Sequence, residues 1–364
     1  MRQDVQFGSW SLAAAGAAVI LAQAFHPILV ASINIGETAA WLAMFLAGLL
    51  ALALYLVVSL GLRPIANGNL IDLARAGAGR TGAIVTALLV CSLLIYHSGL
   101  IIRQTSEMAV GAVYTHTPQT FATVTLVICT LYAAHGKIVS LVRLTRAFLP
   151  FLLLSILVIL IGGAAWGSPR FLLPFWGPGP GALLVGSVRL GAFYCPLILT
   201  LLIAAGHVRD RQHLWRGGAV AIGGPCLLLA LIKIVLLMTY PLPLGYSVTY
   251  PLHELARLVV GGRFFERIEG MWVVMWVFAT SCHLATLLHA AAAAYAGAFG
   301  MLTHRPAVLP LVTMSAVVAF FPRDQGQSIA WSEQAFPFYV AIGLGLPVAL
   351  ALLAAVRRRI GREA

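Results

Sequence analysis

The stretch GALLVGSVRLGAFYCPLILTLLIAAG, residues 181–206, decides the fold of this chain. Its 26 residues include a single charged side chain, Arg189. A helix needs about 20 apolar residues to cross the roughly 30 Å hydrocarbon core of a membrane, so this stretch predicts a transmembrane helix. Gly186, Gly191 and Pro196 lie near its middle, where glycine and proline weaken a helix. The sequence therefore predicts a membrane-spanning helix with an interruption halfway.

Similar apolar stretches recur along the whole chain. Of its 364 residues, 61% are hydrophobic and 9% charged, and the mean hydropathy is +0.95. A soluble domain carries about 25% charged residues. The pattern predicts an all-α polytopic membrane protein of about ten transmembrane helices in a single domain, residues 1–364. The predicted spans are 9–32, 38–60, 82–112, 119–135, 138–165, 181–206, 214–240, 270–299, 306–322 and 335–356.

The basic residues predict the orientation in the membrane. With the N-terminus inside, the cytoplasmic segments hold 15 of the 23 Lys and Arg residues and the outer segments hold five. Because short cytoplasmic loops are enriched in Lys and Arg, we expect both termini in the cytoplasm. The first apolar segment leads directly into a second one, which predicts a retained helix and not a cleaved signal. The net charge of +12 is scattered singly, so it does not indicate a nucleic-acid partner, which needs a clustered patch.

The ten spans divide into two sets of five at PRFLLPFWGPGPG, residues 169–181. Because five is odd, the second set begins on the opposite side of the membrane, as an inverted repeat requires. We assign the repeats to residues 9–165 and 181–357. The first span of each set carries helix breakers, Gly16 and Pro27 in one and Gly191 and Pro196 in the other. Unwound backbone at such breaks can bind a ligand, and the alternative is that the glycines only allow close helix packing.

Four charged residues lie deep inside predicted spans, away from their cytoplasmic ends. Arg103 and Glu107 are one helical turn apart in the third span and can pair, either as an outer gate on a substrate pathway or as an anchor of the helix. Arg189 can attract an anionic ligand or extend to the lipid headgroups. Lys233 has no acidic residue one turn away, so it needs a partner from another helix or a water-filled cavity.

The sequence lacks the motifs of enzymes and of metal sites. It contains no Walker A and no G-x-S-x-G motif, so we expect neither an enzyme nor an ATP-driven transporter, and no cofactor. His283 and His289 are six residues apart, whereas a zinc-binding helix spaces two histidines by four. We interpret these two, and the other histidines in or near spans, as interhelical packing residues; the others are His26, His97 and His135. The five cysteines lie in apolar segments without C-x-x-C spacing and indicate buried apolar side chains.

Residues 241–269 form the longest segment outside the predicted spans. After Pro251, apolar residues recur at helical spacing with Glu254 and Arg257 between them. The apolar positions are Leu252, Leu255, Leu258 and Val259. This spacing predicts a short amphipathic helix on the outer surface.

Four segments, taken in order, carry a family resemblance. They are GETAAWLAMFLAGLL at 36–50, IIRQTSEM at 101–108 with YTHTP at 114–118, HGKIVSLVRLTRAFLPFLL at 135–153, and FFERIEGMWVVMWV at 264–277. The most specific elements are two: Arg103 and Glu107 followed by Thr117-Pro118, and the aromatic-Glu-Arg-x-Glu sequence that begins at Phe265. Together the segments resemble the endospore germination permease family, the B subunits of nutrient germinant receptors, within the amino acid-polyamine-organocation superfamily.

The resemblance implies a ten-helix transporter-like fold whose broken first and sixth helices surround a small-molecule site. It implies as ligand-binding residues Gly16, Ala17, Tyr96, Gly191, Phe193, Tyr194 and Thr280. It also implies a nutrient ligand, commonly an amino acid, and a place in the lipid of the spore inner membrane, with an A subunit and a lipoprotein C subunit as partners. His26, and Glu37 followed by Thr38, depart from the family pattern and leave the ligand's identity open.

Two other functions fit the same sequence. One is a proton-coupled secondary amino-acid permease that uses the same site, and the other is a structural membrane subunit whose pocket no longer binds a ligand. Proton relays usually need chains of Asp, Glu or His, and Glu107 is the main acid within the spans. This shortage of acids disfavours proton coupling.

Overall fold

The computed structural model describes residues 7–25, 28–62, 68–112, 116–246, 248, 250–259 and 268–363. This part of the chain is helical almost throughout and contains no strand apart from one isolated β-bridge between Phe7 and Val208. The helices of the first half are α1 (Ser9–Ala22), α2 (Ile28–Gly36), α3 (Ala40–Gly61), α4 (Leu70–Ala112), α5 (Gln119–His135) and α6 (Ile138–Ala164). Those of the second half are α7 (Pro180–Gly191), α8 (Cys195–Ala204), α9 (Arg211–Thr239), α10 (Leu242–Gly245), α11 (Pro251–Arg257), α12 (Ile268–Phe299), α13 (Arg305–Phe320), α14 (Gln325–Gln334), α15 (Phe336–Val340) and α16 (Leu346–Glu363).

Helices occupy all ten segments in which the sequence predicts spans. Seven helices of the described chain are long and apolar enough to cross a membrane, and the bent pair of α13 and α14 makes an eighth. Two shorter apolar helices, α1 and α5, fill the remaining predicted segments. The all-α multi-pass architecture is therefore confirmed, whereas length and composition alone support seven or eight spans and not ten.

The first predicted span is broken after Ala22 and not at Gly16. α1 runs without interruption to Ala22, a 3-10 turn covers Gln23–Phe25, and α2 begins at Ile28. A Cβ on Gly16 would lie 2.7 Å from the Cβ of Ala221 in α9, so this glycine allows two helices to pack closely. A glycine alone does not stop a helix that is held by such packing. Pro27, the other predicted breaker, lies outside the described residues.

The interruption of the sixth helix lies where the sequence predicts it. α7 ends at Gly191, a 3-10 turn covers Ala192–Tyr194, and α8 begins at Cys195 with Pro196 in its first turn. A proline is tolerated there because the first N–H groups of a helix have no partner within it. The whole of this turn and of α8 is buried.

The helical bundle has two ends that differ in the residues they carry. The end that we call the basic end carries Ser9, His135, His207 and Arg305, and the end that we call the opposite end carries Gly36, α11 and α14. The predicted amphipathic helix is α11, and it packs against α6, α12 and the turn Gln23–Phe25. Leu252, Leu255 and Ala256 are buried in these contacts. The segment therefore covers the break of the first helix, where the sequence predicts only a helix on the surface.

Two helical segments were not predicted. Leu70 to Ala78 forms a helix that is separated from the rest of α4 by a kink at Gly79, whose φ is 73°. Asn69 caps its start, since its side-chain oxygen accepts the N–H groups of Ile71 and Asp72 at 2.9 and 3.0 Å. The second is α14, which bends by 117° from α13 and whose polar residues hide it from a prediction based on hydropathy.

One cysteine departs from its predicted environment. Four of the five are buried, whereas Cys129 is exposed on α5. An apolar side chain on a membrane helix is about as stable in contact with lipid as in contact with another helix. An apolar segment therefore does not indicate burial within the protein. All five thiols are free.

Close packing between α3 and α9 leads to a stability prediction. A Cβ on Gly218 would overlap the ring of Tyr55, whose hydroxyl donates to the Leu214 carbonyl at 2.9 Å. We expect Gly218→Ala to lower the free energy of unfolding by about 1–3 kcal/mol through overpacking. Gly224 lies on the same helix with nothing within 4 Å of its Cβ position, so Gly224→Ala is expected to be neutral or to stabilise by about 1 kcal/mol or less. Unfolding of the purified variants in detergent measures both, and equal effects would contradict the packing argument.

Candidate functional site

Three side chains from three helices meet inside the bundle. They are His97 of α4, His283 of α12 and Tyr339 of α15, which we call the central cluster. His97 Nδ1 and the Tyr339 hydroxyl are 3.1 Å apart, and the ring centroids of the two histidines are 5.8 Å apart. All three side chains are buried, with at most 4% of any of them exposed.

His283 joins this cluster to the first helix, close to its break. Its Nδ1 is 2.6 Å from the Val19 carbonyl oxygen of α1. A carbonyl only accepts hydrogen bonds, so Nδ1 carries the hydrogen, and in the neutral imidazole Nε2 is left as an acceptor. The imidazole thus fixes α12 to α1 one helical turn before Gln23.

The Val19–His283 contact locates two further polar side chains along the axis of the bundle. α1 and α12 run in opposite directions, so Gln23, four residues after Val19, and Thr280, three residues before His283, both lie further toward the opposite end. At a rise of 1.5 Å per residue, Thr280 is about 4.5 Å and Gln23 about 6 Å beyond the Val19–His283 contact. Gln23 is in the 3-10 turn that breaks the first helix, so the amide and the hydroxyl lie at about the level of the break.

Among the buried side-chain atoms that have no hydrogen-bond partner in the described part of the structure, four are on the turn Gln23–Phe25 and near the central cluster in sequence. They are Gln23 Nε2, Ser98 Oγ, Thr280 Oγ1 and His283 Nε2. A buried polar group without a partner costs about 1–3 kcal/mol, and folded proteins rarely leave one unsatisfied. The group offers donors and acceptors to a small polar molecule. Among the described residues no three His, Cys, Asp or Glu side chains are grouped as they would be to hold a metal ion.

Of the residues that the family resemblance implies, Thr280 lies on α12 one turn from His283, and Tyr96 is an electrostatic neighbour of Tyr339. Gly16 lines a separate cavity nearer the basic end, and neither it nor Ala17 is at the break. Gly191 ends α7, with the Ala47 carbonyl 3.7 Å from its Cβ position. The structure therefore does not bring the implied set together at one point.

The aromatic residues of the implied set point to other helices. The Phe193 ring contacts Phe336 of α15 with a centroid separation of 5.2 Å. Tyr194 packs toward α3 and α9, since its hydroxyl would be 3.2 Å from a Cβ on Gly48 and its neighbours include Cys226. The Tyr96 hydroxyl donates to the Trp331 carbonyl of α14 at 3.1 Å. One residue on a helix turns the side chain by about 100°, so His97 bonds to Tyr339, whereas the Tyr96 hydroxyl bonds to α14 and is an electrostatic neighbour of Tyr339.

Arg103 and Glu107 form an ion pair at the opposite end, with a shortest N–O distance of 2.6 Å. Arg103 also donates to the Arg323 carbonyl just before α14, at 2.8 Å. Next to it, the Gln104 amide donates to the Ser328 carbonyl and the Ser332 hydroxyl, at 3.3 and 3.1 Å. The pair therefore belongs to a polar contact that fixes α14 along α4.

The other two intramembrane charges have separate environments. Arg189 is exposed on the surface of α7, a position suited to the lipid headgroups and not to a buried ligand. Lys233 is fully buried, and its ammonium donates to the Leu29 carbonyl in the first turn of α2. The Ser32 hydroxyl donates to the same oxygen at 2.8 Å. The partner that the sequence required for Lys233 is thus a backbone carbonyl beside the break.

A cavity of about 50 Å³ lies between the central cluster and the basic end. α1, α6, α8 and α12 enclose it, and most of its lining is apolar. Val19 lines the cavity, while Phe7, His207 and His289 line it too and lie nearer the basic end. The cavity thus leads from the carbonyl that binds His283 toward the surface of the basic end.

Sequence reasoning did not single out Gln23 or Ser98, and it interpreted His97 and His283 as packing residues. Each lies within an apolar run, where a single polar residue is more often a packing residue. The available signal was that several single polar residues, each within an apolar run, fall on the third and eighth spans. Their meeting depends on the packing of distant helices, which spacing along the chain does not reveal.

An all-helical membrane bundle with two broken helices and a buried polar group beside one break is the architecture of a secondary transporter. Comparison with known families makes this specific: residues 17–328 match the model of the family described as "Spore germination protein". The chain belongs to this spore germination family. A search of curated proteins found no match.

Solved structures of transporters share the fold. Mhp1, a nucleobase-cation-symport-1 family transporter solved with bromovinylhydantoin, is 14% identical, with a TM-score of 0.68 over 93% of this chain and 78% of its own. A Na⁺-coupled sialic acid symporter is 12% identical, with a TM-score of 0.63 over 97% and 82%. MhsT, solved with L-phenylalanine, is 14% identical, with a TM-score of 0.63 over 96% and 88%. At these identities the likeness establishes the fold.

Proposed function

We propose that this protein is the nutrient-sensing subunit of a spore germinant receptor and binds an amino acid between the break of the first helix and α12. The observation that carries this proposal is the group of unpartnered buried atoms beside the break, Gln23 Nε2, Thr280 Oγ1 and His283 Nε2. A ligand that bonds to them removes the cost of their burial. Membership of the germination family supports the biological role.

The chemistry of the site suits a small zwitterion. His283 Nε2 and the Thr280 hydroxyl can accept from an ammonium group, while the Gln23 amide can donate to a carboxylate. The α2 helix begins just beyond the break, and its N-terminus also favours a carboxylate. L-phenylalanine in MhsT is an example of such a ligand in a protein of this fold.

In this proposal the ligand shifts the populations of two arrangements of the broken helices, and partner subunits respond to the change. The partners would be an A subunit and a lipoprotein C subunit, in the spore inner membrane, with both termini of this chain in the cytoplasm. The repeats would be residues 9–165 and 181–357. A proton-coupled amino-acid permease is the second candidate, because a pair of histidines at the centre supplies titratable groups that the sequence seemed to lack.

Two matched threonines test the site. Thr280 and Thr130 are both fully buried with hydroxyls that have no partner among the described residues, but Thr130 lies on α5, away from the central cluster. We expect Thr280→Val to weaken binding of the recognised amino acid by about tenfold or more and Thr130→Val to leave it unchanged. The measurement is equilibrium binding of a panel of radiolabelled amino acids to the full chain in nanodiscs. Equal affinity of the two variants would place the site elsewhere.

Uptake distinguishes the two candidate functions. The full chain in proteoliposomes, with an imposed proton gradient, is expected to bind the amino acid without accumulating it. Gradient-dependent accumulation would overturn the sensor proposal in favour of the permease. The Thr280→Val variant identifies any uptake that depends on the central site.

A further inference from the structure

Four histidines gather at the basic end, apart from the central cluster. They are His135 at the end of α5, His207 in the turn after α8, His289 in α12 and His304 just before α13, and we call them the histidine cluster. The rings of His289 and His304 are 4.3 Å apart between centroids, and His207 interacts electrostatically with both. His289 Nδ1 donates to the Ala134 carbonyl at 3.1 Å. The ligand site proposed above uses none of these residues.

One member of the histidine cluster is bonded to the segment that precedes α1. The Phe7 N–H donates to the His207 carbonyl at 2.9 Å, and the Arg209 N–H donates to the Phe7 carbonyl at 3.1 Å. The Phe7 and His207 rings also face each other with a centroid separation of 6.4 Å. Phe7, His207 and His289 line the cavity that extends to Val19. Two backbone hydrogen bonds and an aromatic contact thus hold Phe7 across the cavity at the basic end.

The charged groups that face the histidine cluster are positive. The electrostatic neighbours of His289 are His304 and His207, and those of His304 are Arg305, His135 and His207. The N-terminus of α13, which begins at Arg305, adds a partial positive charge. Asp210 is the acid that follows Arg209. Its Oδ1 already accepts the backbone N–H of His213 and contacts the His213 ring nitrogen Nδ1, both at 2.8 Å. No acidic side chain is therefore among the electrostatic neighbours of His289 and His304 in the described chain, and an added charge on either ring is not compensated there.

We propose that the histidine cluster is a proton-binding site and that proton binding opens the cavity toward the basic end. The proton, taken from water, forms an N–H bond at Nε2 of His289 or at an unprotonated ring nitrogen of a neighbouring imidazole. The resulting cation lies in an apolar cavity beside three imidazoles, an arginine and a helix N-terminus. Moving the Phe7 segment and His207 away from α12 and α13 hydrates the cation and separates the charges.

The sign of the pH dependence is set by His304, which lies in the loop outside the helices. Burial first, and then Arg305, His135 and His207, lower the pKa of His304 below its ordinary value of 6.5. The closed arrangement therefore favours the neutral ring, and the open one, in water, binds the proton more readily. Acidification through the range below about pH 6.5 shifts the population toward the open cavity.

Accessibility of the cavity to a thiol reagent tests the proposal without a ligand. Ala15 is buried and lines the cavity, whereas Leu302 is fully exposed near the same end. Cysteines are introduced singly as Ala15→Cys and Leu302→Cys on a Cys129→Ser background, since the other native thiols are buried. The full chain in nanodiscs is labelled with N-ethylmaleimide at about pH 8 and about pH 5.5, on either side of the ordinary histidine pKa. The rate at Leu302→Cys corrects for the intrinsic pH dependence of the reagent.

We expect the corrected rate at Ala15→Cys to rise by about tenfold on acidification, because proton binding shifts the population toward the open arrangement. His289→Gln and His304→Gln are each expected to abolish this rise, while His116→Gln, an exposed histidine at the opposite end, keeps it. His304 is half-buried, so its variant serves if His289→Gln does not fold. A pH-independent corrected rate, or a rise that survives both cluster variants, would overturn the proposal.

Discussion

Replacing Arg103 by glutamine is expected to lower the free energy of unfolding by about 3–5 kcal/mol, because it leaves the Glu107 carboxylate buried without its cation. Only 10% of the Arg103 side chain and 12% of the Glu107 side chain are exposed. The change also removes the bond to the Arg323 carbonyl that helps to fix α14 on α4. Steric trapping or denaturant unfolding of the protein in lipid measures the loss.

The matched control for Arg103 is another arginine paired with a glutamate along one helix. Arg257 and Glu254 of α11 are 3.2 Å apart, but 61% of the Arg257 side chain is exposed. Arg257→Gln is therefore expected to cost about 0–1 kcal/mol. A loss at Arg103 no larger than that at Arg257 would show that the Arg103–Glu107 pair behaves as a solvated surface pair.

Lys233→Ala is expected to lower the free energy of unfolding by about 2–5 kcal/mol, the range for removing a long buried side chain. Lys233 is fully buried in α9, so the shorter side chain leaves a cavity next to the first turn of α2. Lys233→Met fills this volume and removes the buried cation, whose only bond among the described residues is to a carbonyl that Ser32 also satisfies. We expect Lys233→Met to be neutral or to stabilise by about 1 kcal/mol.

The comparison of the two Lys233 variants separates volume from charge. Both are measured by the same unfolding assay in lipid, with the wild type at the same protein-to-lipid ratio. If Lys233→Met is as destabilising as Lys233→Ala, the ammonium's bond to the Leu29 carbonyl and not the filled volume stabilises the break of the first helix.

Most of the helices could be predicted because apolar length alone identifies a segment that a membrane accepts. All ten predicted segments are helical, and the interruption at Ala192–Tyr194 lies beside the predicted Gly191 and Pro196. α14 and the helix from Leu70 were missed because their stability comes from contacts with other helices and from caps, which hydropathy does not report. The Asn69-x-x-Asp72 pattern was the available signal for the second of these.

The site could be predicted only in part. Thr280 lies beside the central cluster, but the first helix breaks at Gln23 and not at Gly16, because Gly16 is packed against α9. Choosing between Tyr96 and His97 requires the rotation of α4 about its axis, which depends on all its neighbours. The contact between His283 and Val19 joins residues 264 positions apart, and no local pattern encodes it.

The contact between α11 and α14 has a kinetic consequence. The Tyr250 hydroxyl, at the start of α11, donates to the Gln325 side chain of α14 at 2.6 Å, and burial together with the nearby Glu107 charge raises the pKa of Tyr250 to about 12, so the hydroxyl keeps its proton. α11 covers the break, so a molecule that leaves the central cluster toward the opposite end must first separate these two helices. For the sensing subunit proposed above, the strength of that bond is expected to affect the residence time of the ligand more than its affinity, so the response would depend on how long the ligand stays as well as on how much is present.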